Sequence, residues 1–136
     1  MRTFLDSGVL LTAWRGRQAQ AEAALAIMED RDREFFTSQL VELELMPKPA
    51  FFGQRDEIAF YQTHFAAAKG REMLSAVLGQ SADRLARRYG LAAVDALHVA
   101  AAIRQRAEEF ITTEKAGKPL FRVREVRVIS LDSIVT

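Results

Sequence analysis

The sequence predicts an α/β fold, a three-layer α/β/α domain around a central parallel sheet of about four to five short strands. Three observations predict it. Short β-type runs at 2–5, 34–37, 109–113 and 126–129 alternate with stretches of helical spacing, which implies a parallel sheet covered on both faces. The stretch 91–107 reads as a helix that is apolar nearly all round, as a helix packed inside a domain must be. The 136 residues are 49% hydrophobic and contain no linker, repeat or low-complexity segment, so residues 1–136 form a single domain.

The elements follow in order. Residues 2–5 make the first strand, and Ser7 is placed to cap a helix that reaches Trp14 and breaks at Gly16. Ala21, Leu25 and Met28 then repeat at helical spacing and complete a helix hairpin. A second strand at 34–37 leads to Ser38, the expected cap of a helix ending near Met46. Pro47 and Pro49 should stop that helix and open a loop. Ile58, Tyr61, Phe65 and Ala68 mark the next helix, Met73 to Leu78 another that breaks at Gly79, and 81–89 one stopped by Gly90. Strands at 109–113 and 126–129 close the chain, with 131–135 a short addition.

Four acids stand in apolar frames where a charge is costly. Asp6 lies between Thr3-Phe4-Leu5 and Ser7-Gly8-Val9, Glu44 within Leu40-Val41-Glu42-Leu43-Glu44-Leu45, Asp95 within Ala93-Val94-Asp95-Ala96-Leu97, and Glu114 after Phe110-Ile111-Thr112-Thr113. Helical geometry separates Glu44 from its neighbour Glu42: at about 100° per residue, Glu44 falls between Leu40 and Val41 while Glu42 points roughly 160° away. The same geometry turns Asp95 toward Leu91, Val99 and Ala102. Two carboxylates about 4 Å apart repel by roughly 4 kcal/mol at an effective dielectric of about 20, so a cluster of four calls for a cation. With no cysteine and only two histidines in the chain, all-oxygen ligation favours Mg²⁺ or Mn²⁺, and such a site suits phosphodiester hydrolysis.

The plainer alternative for any one of these acids is a cap, or a core carboxylate paired with one of 19 lysines and arginines. His98, three residues after Asp95, can be drawn as its acid–base partner but reads first as a core histidine; His64 reads as a surface residue. Ser7, Ser38 and Thr112 can hold a water or a phosphate, with capping the default for both serines. Arg84, Arg87 and Arg88 form a basic face that reads as solvated, and Arg122-Val123-Arg124 reads as a charged edge strand.

A net charge of +1 supplies no broad field for gripping nucleic acid. The absence of cysteine fits a reducing cytoplasm, and no apolar run is long enough for a membrane span. Gly8 stands where a DxD phosphatase needs its second acid, and Gly117-Lys118 is followed by proline, which rules out a P-loop.

End to end, the chain resembles the PIN-domain family, in particular the small stand-alone toxins of bacterial type II toxin–antitoxin pairs. The resemblance is carried by Phe4-Leu5-Asp6-Ser7-Gly8, by Thr37-Ser38-Gln39-Leu40-Val41-Glu42-Leu43-Glu44, and most specifically by Tyr89-Gly90-Leu91-Ala92-Ala93-Val94-Asp95-Ala96-Leu97-His98-Val99-Ala100. It implies a PIN-like fold, an endoribonuclease using Mg²⁺ or Mn²⁺, Asp6, Glu44 and Asp95 as metal-binding acids, an RNA substrate, a homodimer and an antitoxin partner. Glu114 departs from the family pattern, which more often has aspartate there with a serine or threonine two residues before it; Thr112 is in place. That departure keeps one rival in view, a degenerate PIN-like module that binds RNA or protein without cutting.

Overall fold

The computed structural model describes residues 1–135. Five parallel strands form one sheet in the order β3-β2-β1-β4-β5, with β1 Arg2–Leu5, β2 Glu34–Ser38, β3 Gly70–Glu72, β4 Glu109–Thr112 and β5 Arg127–Ser130. The register aligns Phe4 with Phe36 on one side and with Phe110 on the other. Alternation along each strand therefore puts these three rings on one face. The Phe4 and Phe110 rings stack with centroids 5.5 Å apart, and the Arg2 guanidinium lies 4.2 Å over Phe36.

Helices α1 (Ser7–Arg15) and α2 (Gln18–Met28) connect β1 to β2, while α3 (Gln39–Leu45), α4 (Pro47–Phe51) and α5 (Arg55–Ala67) connect β2 to β3. The return from β3 to β4 runs through α6 (Ala76–Tyr89) and α7 (Ala93–Arg104). Right-handed crossovers place α1, α2 and α5 on one face and α6 with α7 on the other, giving three layers. Phe35, one residue off the phenylalanine row, accordingly meets His64 of α5, whereas Phe4 meets His98 of α7. No helix among the described residues is long and apolar enough to cross a membrane.

Several boundaries differ from expectation, each for a local reason. Asp6, rather than Ser7, caps α1, its Oδ1 accepting from the Val9 N–H at 3.3 Å, and Ser7 becomes the first helical residue. Pro47 begins α4 instead of opening a loop, because proline has no N–H to lose in a first turn. Gly79 sits inside α6, which Ser75 caps through the Leu78 N–H, so a single glycine at a cost of about 1 kcal/mol did not break the helix. Strand β3 is three residues without apolar alternation, and nothing in its sequence marks it. The stretch 122–124, expected as a charged edge strand, instead leaves a 3-10 turn at Pro119–Arg122 as irregular chain, and the short addition expected at 131–135 holds a 3-10 turn at Leu131–Ser133.

His64 is buried at 5% exposure, not on the surface, because α5 lays it against Phe35. Desolvation lowers its pKa from 6.5 to about 4. The unfolded chain thus takes up the proton first, and stability present above pH 6.5 is lost as the pH falls toward 4. Between pH 7 and pH 5 the wild type should lose roughly 2 kcal/mol of unfolding free energy through this group alone. Urea titrations at the two pH values should show that loss diminished by about this amount in His64→Leu; an identical pH dependence in both proteins would refute the assignment.

Candidate active site

Two neighbouring strands end together at the centre of the sheet. The chain leaves β1 toward β2 on one side and returns to β4 on the other, so the carboxyl ends of β1 and β4 form the switch point where open parallel sheets bind ligands. The Asp6 N–H donates to the Ile111 carbonyl at 3.1 Å, carrying the β1–β4 ladder to the rim. Asp6 is the first residue after β1, and Thr112 is the last of β4. Glu44 arrives from α3 and Asp95 from the first turn of α7, where the helix dipole favours a negative charge. Asp6, Glu44, Asp95 and Glu114 line one cleft of about 300 Å³.

The acids differ from the other buried carboxylates of the chain. Glu109, 2% exposed, pairs with Arg33 at 3.2 Å, and Glu57, 3% exposed, with Arg15 at 2.8 Å and the Tyr61 hydroxyl at 2.7 Å. Among the described residues, none of the four cleft acids forms a salt bridge with lysine or arginine. Burial pushes the Asp6 carboxyl above its ordinary value, against hydrogen bonds from Thr112 and the Val9 and Gly8 backbone and the charge of His98. Asp95 is raised by desolvation first, then by the negative charge of Glu114 and, beyond His98, of Glu44. These are like charges held together without counter-charge from arginine or lysine.

Glu44 is not the buried acid that helical geometry predicts. Its side chain is 36% exposed and that of Glu42 only 24%, because the inward face of the short α3 opens on the cleft while Glu42 packs beside Arg71 at 2.7 Å. Glu44 is held there by Ser7, whose hydroxyl donates to Oε1, and by His98 Nε2, 2.5 Å from the same oxygen. Ser7 Oγ and His98 Nε2 are 3.4 Å apart. His98 is therefore a buried histidine, as read, but its partner is Glu44 from a distant helix rather than Asp95.

The remaining expectations divide. Ser7 lines the cleft. Ser38 does not: it is fully buried, and its hydroxyl accepts from the Val41 N–H at 3.1 Å as the cap of α3. Thr112 is fully buried behind the cleft, accepting from the Glu114 N–H at 3.1 Å. Thr113, unmarked in the sequence, faces the cleft beside Gly8. A Cβ on Gly8 would lie 2.5 Å from Thr113 Oγ1 and 3.3 Å from Asp6 Oδ1, so glycine is what lets the exit of β4 approach α1. The basic helix face is largely neutralised by its own neighbours, Arg87 by Asp83 at 2.9 Å and Arg88 by Glu125 at 3.8 Å.

Oxygen donors in this number match a hard divalent cation. Asp95 is raised first by burial and then by the charge of Glu114, and a bound cation would act against both. As the side chains stand, no three His, Asp or Glu residues among those described converge closely enough to hold an ion. The donor chemistry fits, and the four acids share a cleft without closing on a point.

No curated protein is similar enough in sequence to be matched. Among solved structures the fold is shared with VapBC2 from Rickettsia felis bound to a DNA fragment from their promoter, at TM-score 0.70 and 15% identity over 96% of this chain and 98% of that one. It is also shared with Mycobacterium tuberculosis VapC20, a sarcin–ricin loop cleaving toxin, at 0.66 and 18% over 92% and 98%. FitAcB from Neisseria gonorrhoeae follows at 0.64 and 17% over 95% and 97%. A family profile describing the PIN domain matches residues 3–121, which with the strand order and the acid-lined rim establishes that the chain belongs to the PIN domain family.

Proposed function

We propose that this protein is a divalent-cation-dependent endoribonuclease, the toxin of a toxin–antitoxin pair. The observation that carries this reading is the meeting of Asp6, Glu44, Asp95 and Glu114, from four separate segments, in one cleft without an arginine or lysine partner among the described residues. Asp6, Glu44 and Asp95 would hold Mg²⁺ or Mn²⁺. When bound, the cation would supply a nucleophilic water at neutral pH and charge stabilisation on the scissile phosphate.

The chain's own groups have separable tasks in this reading. Asp6 is fixed by its cap bond to Val9, so its carboxylate is preorganised at the switch point. Asp95 presents its charge from the first turn of α7. Glu114 is turned by the bond from its own N–H to Thr112 and would orient the attacking water by accepting its hydrogen bond. Ser7 spends its one hydroxyl hydrogen on Glu44 Oε1, so it would meet a phosphate oxygen only by releasing that carboxylate.

The family match and the neighbours support RNA as substrate, VapC20 being a sarcin–ricin loop cleaving toxin, and a toxin–antitoxin complex from Klebsiella pneumoniae supports an antitoxin partner. Exposed Leu43, Phe51, Phe52 and Val94 are apolar surface suited to protein contacts, in keeping with an antitoxin and a homodimer in the cytoplasm.

Asp6→Asn and Asp95→Asn should each lower RNA cleavage by about 100- to 1000-fold, several kcal/mol of lost transition-state stabilisation, with circular dichroism unchanged. Undiminished cleavage by both variants would remove the assignment. Calorimetry should show wild-type protein binding Mn²⁺ and Asp95→Asn binding it weakly; a wild type that binds none would favour a non-cutting scaffold. Because Asp95 carries its charge at a cost imposed by burial, Glu114 and Glu44, the same variant without cation should melt about 2 °C higher than wild type. A lower melting temperature would show that Asp95 stabilises the fold instead.

A further inference from the structure

The short α3 ends at Leu45, immediately before the Met46–Pro47 junction, and it carries Glu44 with a side chain 36% exposed. A glutamate so placed would sample several rotamers unless something held it. Two donors do so, and both meet the same atom. Ser7 Oγ and His98 Nε2 converge on Oε1, while Oε2 has no hydrogen-bond partner among the described residues. One carboxylate oxygen is thus anchored and the other is left for a ligand.

The two donors are not equivalent. A serine hydroxyl rotates, but the His98 side chain is 5% exposed and packs against Phe4 at a centroid distance of 6.4 Å, tilted by 54°. A carboxylate oxygen only accepts, so a ring nitrogen 2.5 Å away must carry the hydrogen. The other ring nitrogen, Nδ1, is buried and has no partner among the described residues, so the ring is aimed by packing and its short bond goes to Glu44. His98 is also three residues after Asp95 on α7, so a single helix presents one acid of the cleft and fixes another that comes from α3.

We propose that His98 is a positioning residue that anchors Oε1 of Glu44 and so presents Oε2 to the cation. This rests on the reading of Glu44 as a cation ligand. A packing role alone would be satisfied by any side chain of similar volume. An anchoring role needs a donor at the position of Nε2, which the amide nitrogen of glutamine can reach and the shorter asparagine cannot.

Mn²⁺ calorimetry on the full chain separates these roles. His98→Leu and His98→Asn should weaken Mn²⁺ affinity by about 10- to 100-fold, while His98→Gln stays within about threefold of wild type. In a Glu44→Ala background the His98→Leu loss should vanish, because the histidine acts through that carboxylate. Equal affinities across the three variants, affinities that follow melting temperature instead of donor position, or additive losses in the double variant would each overturn the role. If His98→Leu does not fold, the glutamine and asparagine pair carries the comparison. A wild type that fails to bind Mn²⁺ overturns the cation reading and this role together; a wild type that binds it with His98→Leu unchanged overturns this role alone.

Discussion

The parallel pairing of β1 with β4 is the interaction on which the rest of the site depends. It places two strands that are about a hundred residues apart side by side, with Leu5 opposite Ile111, and so brings Asp6 and the Thr112–Glu114 segment to one rim. The pairing is held from below by apolar contact, Phe4 stacked on Phe110, and continued above by the Asp6 N–H to the Ile111 carbonyl. Close approach at the rim then requires a residue without a side chain at position 8. The apolar face thus fixes, by burial, the relative position of groups that would repel one another if free.

Electrostatics divides the buried acids of this chain into two kinds. Glu57 and Glu109 each have an arginine, and such pairs satisfy charge inside a folded domain. The cleft acids have hydroxyls, backbone N–H groups and one histidine, which orient a carboxylate without cancelling its charge in the way arginine does. Burial, which those partners do not fully offset, leaves Asp6 and Asp95 above their ordinary pKa values, a cost that the apolar sheet and its helices offset elsewhere. An arrangement that keeps carboxylates together and leaves them unpaired is suited to receiving a cation, and the same arrangement lowers the stability of the empty protein.

Much of this was legible along the chain. Strand β1, the cap at Ser38, the stop at Gly90 and the apolar α7 follow from local patterns, and the isolation of Asp6 and Asp95 in apolar frames marked them as unusual. Strand β3 was not legible, since three residues at a sheet edge carry no periodicity and exist as a strand only because β2 offers a hydrogen-bonding edge. Gly79 misled because its helix cost is small beside the packing of α6 on α7. Glu44 was assigned to the right face of its helix, yet that face meets a cleft rather than a core, and periodicity does not distinguish the two.

By itself the sequence determined the layered α/β class, the resemblance carried by three motifs, and which acids lack a surface explanation. These are properties of spacing and local propensity, and they need no knowledge of partners distant in the chain. The tertiary structure alone decided that His64 is buried against Phe35, that Ser38 lies outside the cleft, that Thr113 faces it, and that His98 reaches Glu44 instead of Asp95. Each of these is set by which elements cross in space. A carboxylate in an apolar frame can be found by reading along the chain, but whether arginine, histidine or no side chain stands opposite depends on residues brought there only by the packing of the sheet and its helices.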